Sequence, residues 1–249
     1  MNEVSARMTR SAWNGVYKIG GLAILIAIPV YVLDIVISLT VEGADLPPDA
    51  FTAVNLFALY RENWLLGFRA LGLINIVILV VSLPFFVALY GAHRETYGAY
   101  AALALIVWLA GATIYLANNV ALPMSVLSGK YAAAATDGQR TLMAAAGEAM
   151  LARGAEFSPG SFVGLILTNT AAIGFSLITL RSRVFGRAVA YTGLAGFVLL
   201  AAFTVCSTFF PSLFAVGMAV AAVGGVAGMI WYIYIAFRLL GLGRRQATI

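Results

Sequence analysis

One cysteine and one histidine are all that this 249-residue chain offers for soft metal ligation or disulfides. Cys206 alone excludes an internal disulfide and a thiolate metal cluster, and His93 alone argues against a histidine-built metal or haem site. Charge is scarce too: 10% of the residues are charged, for a net +5, which in so apolar a chain reflects loop topology rather than nucleic-acid binding. No HExxH, CxxC or GxxxxGK[ST] pattern occurs. A lone membrane aspartate cannot form an aspartyl dyad. His93 falls on the wrong side for a membrane serine hydrolase, and no apolar span carries the mid-helix lysine of a retinal site. No cofactor is expected, and enzymatic chemistry is disfavoured.

What the chain has in quantity is apolar side chain: 62% of its residues, with a mean hydropathy of +0.96. A soluble domain of this length cannot bury that much. Several runs exceed the roughly 18 apolar residues that span a bilayer, and they are continuous rather than alternating, which excludes a β-barrel. The expectation is an all-α polytopic membrane protein, one membrane domain over 1–249. Its six spans lie at about 16–40, 64–91, 100–122, 162–180, 184–204 and 213–240. The first run is too long for a signal-peptide core and reads as an uncleaved helix.

Two polar connections read as amphipathic helices. After Pro47 and Pro48, Asp49 is a plausible N-cap, with Phe51, Val54, Phe57 and Ala58 at helical spacing. In the second, Thr136 and Gln139 form a capping box, and Leu142, Met143, Ala146 and Met150 line one face. Ten of the fifteen lysines and arginines fall on one side: Arg7, Arg10, Lys18, Arg94, Arg181, Arg183, Arg187, Arg238, Arg244 and Arg245. The positive-inside rule then puts both termini in the cytoplasm, in the cell membrane, and both amphipathic helices on the outer face.

A charge inside a span costs roughly 2.5–3.5 kcal/mol on insertion scales, so each needs a reason. Asp34 is the only acid in a span. It lies about as far below the outer end of the first span as Arg69 lies below that of the second, at 1.5 Å per residue. The two are expected to pair. The alternative is that Arg69 snorkels alone and Asp34 finds hydroxyls or water. Asn118, Asn119, Asn169 and Thr170 fall in the same outer half. They serve either as interhelical hydrogen-bonding glue or, with Asp34 and Arg69, as the lining of an outward polar cavity. Gly217, Ala221 and Gly225, with Gly224 and Gly228, form small-residue stripes that suit internal packing or a homodimer seam. Pro29 and Pro84 are expected to kink their helices. Asn75 reads as a mid-membrane residue bonded to a neighbouring backbone, and Cys206 as a small filler. Trp231, Tyr232 and Tyr234 read as an interfacial belt.

The strings LSGKYAAAATDGQRTLMAAAGEAML, LRSRVFGRAVAYTGLAG and WYIYIAFRLLGLGR resemble the prokaryotic integral membrane proteins grouped as domain of unknown function 4386. The likeness runs from about Trp64 to Arg245 and is most specific at the basic turn LRSRVFGR. It implies a six-helix prokaryotic bundle and carries no catalytic residues. Three functions follow as expectations. The first is a non-enzymatic protein, in contact with membrane lipids, that holds a small or lipidic ligand near Asp34, Arg69, Asn118, Asn119, Asn169 and Thr170. It would be a sensor, carrier or accessory subunit. The second is a secondary transporter coupled through Asp34. The third is a lipid-acting enzyme with Asp34 as base.

Overall fold

The computed structural model describes residues 3–41, 50–155 and 158–245. Among them are nine α-helices: α1 (Glu3–Thr40), α2 (Ala53–Glu62), α3 (Trp64–Ala70), α4 (Leu73–Asn118), α5 (Ala121–Ala133), α6 (Asp137–Gly154), α7 (Pro159–Ser182), α8 (Arg187–Phe209) and α9 (Phe214–Arg245). No strand occurs among the described residues. Five helical stretches, built on α1, α4, α7, α8 and α9, are long and apolar enough to cross a membrane.

The second of these is a doubled element. α4 has 46 residues and helical dihedrals throughout except at Tyr97, where φ is −133° and ψ is 38°. In a straight helix Phe86 and Trp108 would sit about 33 Å apart along the axis. Their rings instead stack with centroids 4.3 Å apart. The chain therefore folds back at Tyr97, and residues 73–96 and 98–118 are antiparallel arms. No loop separates them. Pro84 lies within the first arm and Pro29 within α1, and neither ends its helix.

The packing closes into a ring in the order α1, α4, α7, α8, α9 and back to α1. Glycines set two close crossings. At Gly111 and Gly164 a Cβ on either helix would press within 3.0 Å of the other's backbone oxygen, so α7 rests directly on the second arm of α4. Gly196 meets Gly224 and Gly228 in the same way, which commits that part of the α9 stripe to α8. Gly217 lies against the Phe203 ring, while Gly225 has open space around it.

The ring encloses an aromatic core of Phe85, Phe86, Trp108, Phe175, Phe197 and Trp231. This corrects the reading of Trp231 and Tyr232 as an interfacial belt. Trp231 is fully buried, and Tyr232 packs on Phe85, Phe86 and Phe197. Only Tyr234, 41% exposed and under the Arg238 guanidinium, keeps a belt-like position.

The remaining helices, α2, α3, α5 and α6, form a cap with its own core of Leu56, Phe57, Tyr60, Leu71, Met124 and Leu151. It sits where α1 ends, α4 begins and ends, and α7 begins. Asp49 lies outside the described residues, and Thr52 caps α2 by accepting from the Asn55 amide at 3.3 Å. Glu148 of α6 adds a second cap, its Oε1 accepting from the Ala53 amide at 2.7 Å. The capping box of α6 forms with a one-residue shift. Thr136 Oγ1 accepts from Gln139 N at 3.2 Å, while Gln139 Oε1 accepts from the Ala135 amide at 2.9 Å. The packed face of α6 is shifted by about one position from the expected one, with Met143, Ala146 and Met150 half-buried at its edge. Leu142 is 63% exposed, whereas Gly147, Leu151 and Gly154 are buried. The reason is close approach: Gly147 lets α2 come so near that an added Cβ would lie 2.6 Å from the Ala53 Cβ. Small residues therefore carry this contact. Val54 is likewise turned outward at 41% exposure.

Tyr60 ties the cap together by donating to the Ala121 carbonyl at 2.8 Å. Burial pushes its hydroxyl well above the ordinary value near 10. Tyr60→Phe is expected to lower stability by about 1 kcal/mol at neutral pH, for one hydrogen bond lost. Above pH 10 an unfolded tyrosine ionises while the native one does not, so the native state binds more protons and stability falls as pH rises. The variant lacks that loss. Thermal unfolding at pH 7 and pH 11 is expected to show the gap narrowing at the higher pH.

Candidate functional site

The expected charged pair forms, although Arg69 lies outside the second membrane-capable helix, which begins at Leu73. Arg69 Nε donates to Asp34 Oδ1 at 2.7 Å, and Nη2 reaches the Asp34 carbonyl oxygen at 3.3 Å. The side chains are 9% and 21% exposed respectively. The supporting element differs from the expected one, because the span read at 64–91 is broken. Leu71 leaves the helix and Gly72 takes a left-handed φ of 73°, a conformation that costs glycine nothing. Arg69 therefore rides on the separate seven-residue α3, and Asn75 falls in the first turn of α4 rather than at mid-helix.

That break explains one of the paired carboxamides. Asn119 Nδ2 donates to the Leu71 carbonyl at 2.8 Å, while its Oδ1 accepts from the Ala121 amide at 2.9 Å and so starts α5. One side chain thus serves two interruptions 48 residues apart. Asn118, the last residue of α4, points to a different neighbour and donates to the Gly160 carbonyl at 2.8 Å, which fixes the start of α7. Both asparagines are committed to backbone.

Asn169 and Thr170 separate around α7. Thr170 is exposed, and its hydroxyl returns to the Ile166 carbonyl at 2.7 Å. Asn169 faces inward, where Nδ2 reaches Thr204 Oγ1 at 3.5 Å. Among the described residues this long contact is its only hydrogen bond, and Oδ1 has no donor.

Asn169 lines two adjoining clefts inside the ring. One, of about 220 Å³, is bounded by Ile28, Tyr31, Ser82, Leu200, Gly225 and Tyr232 among others. The second, of about 140 Å³, adds Asn75, Trp108 and Thr168. They share Ile78, Ser82, Asn169, Phe197 and Tyr232. The walls are mostly apolar, with a few amides and hydroxyls, as small-molecule sites are. Asp34, Arg69, Asn118 and Asn119 line neither cleft. Of the six expected site residues, then, the fold joins Asp34 to Arg69, brings Asn119 to the break beside them, and puts Asn169 elsewhere. Ser82, Tyr31 and Tyr232 were not singled out as site residues. Asn75 and Ser82, seven residues apart and so on one helix face, were the signal available.

One Ser–His contact occurs elsewhere. His93 Nδ1 lies 3.1 Å from Ser182 Oγ, and Nε2 lies 3.3 Å from Thr179 Oγ1. The imidazole is fully buried and packs edge-on against Phe185. The two contacts tie the last turn of α7 to the first arm of α4. Among the described residues no three histidines, cysteines or acids group to hold a metal.

A family model described as Domain of unknown function (DUF4386) matches residues 66–238. No curated protein and no solved structure matches the chain.

Proposed function

The chain belongs to the family Domain of unknown function (DUF4386), whose description states no activity, and we propose a function from the site itself: a multi-pass membrane protein that binds a small, mainly apolar or lipidic molecule inside its bundle. In this reading the spans number six, because the arms of α4, at about 36 Å and 31 Å, are each long enough for the roughly 30 Å hydrocarbon core. The termini lie in the cytoplasm and the cap on the outer face, as the lysine and arginine distribution favours.

The single observation that carries the ligand reading is Asn169. An intramembrane carboxamide with a 3.5 Å contact and an undonated oxygen, set in the wall of two joined apolar clefts, is poised to orient a ligand bearing one hydrogen-bonding group. The site moves from the Asp34 corner to the interior for this reason. Asp34 is neutralised by Arg69 at 2.7 Å, which leaves little to support ion coupling through its carboxylate.

The test is what the protein carries. Solvent extracts of protein purified in mild detergent, read by mass spectrometry, are expected to contain a defined small molecule or lipid. Asn169→Leu is expected to lower its recovery about tenfold, the worth of one well-placed buried hydrogen bond. Equal recovery from the variant, or no retained species from the wild type, overturns the reading.

A further inference from the structure

A third space lies outside the ring, in the furrow where the second arm of α4 meets α7. It encloses about 290 Å³ and is walled by Leu103, Ala104, Val107, Gly174, Leu177 and Ile178. Thr170 closes one end, and Tyr97, Tyr100 and Arg181 stand at the other. From Thr170 to Arg181 is about 16 Å along α7, close to half of a 30 Å hydrocarbon core. The furrow therefore has the length of one leaflet.

Its two ends differ in chemistry. The deep part is apolar, and Gly174 keeps it open: an added Cβ there would meet nothing nearer than the Ala104 Cβ at 3.6 Å. The shallow end belongs to the basic turn, where Arg181, Arg183 and Arg187 occur within seven residues and no acid intervenes. Tyr100 is 64% exposed, as an aromatic at headgroup depth would be. Among the described residues no carboxylate pairs with Arg181. Glu95, on the neighbouring arm, lies 3.7 Å from Arg94 instead.

We infer that this furrow is a binding site for one anionic glycerophospholipid, with an acyl chain lying over Gly174 and the phosphate at Arg181. The inference rests on the membrane reading above but not on the interior cleft. A chain along the furrow fills apolar walls that a bulk lipid would otherwise solvate loosely. A phosphate at its mouth meets an arginine that has no competing acid, and guanidinium suits phosphate geometry.

Native mass spectrometry of the full chain tests this, with phosphatidylglycerol and phosphatidylcholine of identical acyl chains added in turn. The wild type is expected to retain phosphatidylglycerol about fivefold over phosphatidylcholine, the order of one basic residue acting near a headgroup. Arg181→Gln, at an exposed position, is expected to bring that ratio towards one. Gly174→Leu is expected to lower retention of both lipids, and Gly174→Ala, whose Cβ stays 3.6 Å from the Ala104 Cβ, to lower it less. Glycerol 3-phosphate is expected not to displace the lipid. A wild-type ratio near one, an unchanged ratio in Arg181→Gln, or displacement by glycerol 3-phosphate overturns the proposal. The ratio is expected to survive Asn169→Leu, which separates this site from the interior one. If carbonate washing strips the chain from membranes, the membrane reading and the furrow fall together. If the chain stays and the ratio is one, the furrow alone falls.

Discussion

Gly160→Ala is expected to lower the melting temperature by about 10 °C or to prevent folding altogether. Three backbones meet at this point without side chains between them. The Cβ of residue 160 would run into the Arg153 carbonyl in the last turn of α6, and that of Gly154 into the Asn118 carbonyl at the end of α4. The Gly160 carbonyl itself accepts from Asn118 Nδ2 at 2.8 Å. Overpacking a side chain costs about 1–3 kcal/mol because rotamers give way. A carbonyl oxygen fixed in a helix has no rotamer to change, so α6 or α7 must shift as a body, and the cost rises above that range. Gly129→Ala is the control. Nothing lies within 4 Å of its added Cβ in the middle of α5, so alanine is expected to be neutral or to gain about 0.5–1 kcal/mol. Thermal unfolding in detergent measures both. A Gly160→Ala protein that melts within about 2 °C of wild type would show that the three helix ends do not meet this closely.

The second large effect concerns the ion pair. Asp34→Ala is expected to cost about 3 kcal/mol, because it strands a guanidinium that is only 9% exposed. Much of that cost belongs to the abandoned charge rather than to the lost attraction. Asp34→Leu combined with Arg69→Leu is therefore expected to be markedly more stable than Asp34→Ala alone. Arg69→Lys falls between, since one ammonium cannot reproduce a fork that holds both the carboxylate and the Asp34 carbonyl oxygen. Unfolding of the wild type, Asp34→Leu, Arg69→Leu and the double variant under one condition gives the coupling. Single and double variants that simply add would deny that the groups depend on each other.

These two cases mark where the sequence could be read and where it could not. The Asp34–Arg69 contact followed from residue type and depth, because an unpaired charge in lipid is costly wherever it sits. The break at Gly72 was hidden, since one glycine in an apolar run reads as a tolerated helix interior. In the structure it shows as the left-handed Gly72 and as the Leu71 carbonyl that accepts from Asn119, 48 residues away. Helix α5 was hidden for a related reason. Pro123 and Gly129 suggest a loop, yet proline is harmless in a first turn, and the Met124 and Ser128 side chains are buried in the cap. The turn at Tyr97 left no loop to find, and the expected gap between the second and third spans is continuous helix apart from that one residue. Trp231 shows the limit of composition rules. An aromatic near a helix end suggests an interface, but which way it faces depends on α8, where Gly193 makes room for the indole. The interior cleft is the most collective feature. Its lining comes from five helices, and no local pattern in any one of them specifies the space left between them.

The Arg69–Asp34 bridge also has an electrical meaning. A lone aspartate or arginine in an energised bilayer exchanges about 2.3 kcal/mol with the field for every 100 mV it traverses. Joined at 2.7 Å, the two carry no net charge between them, so the field does almost no work on them as a unit. On the membrane reading proposed above, whatever motion α1 and α3 undergo together, voltage has no grip on it at this corner.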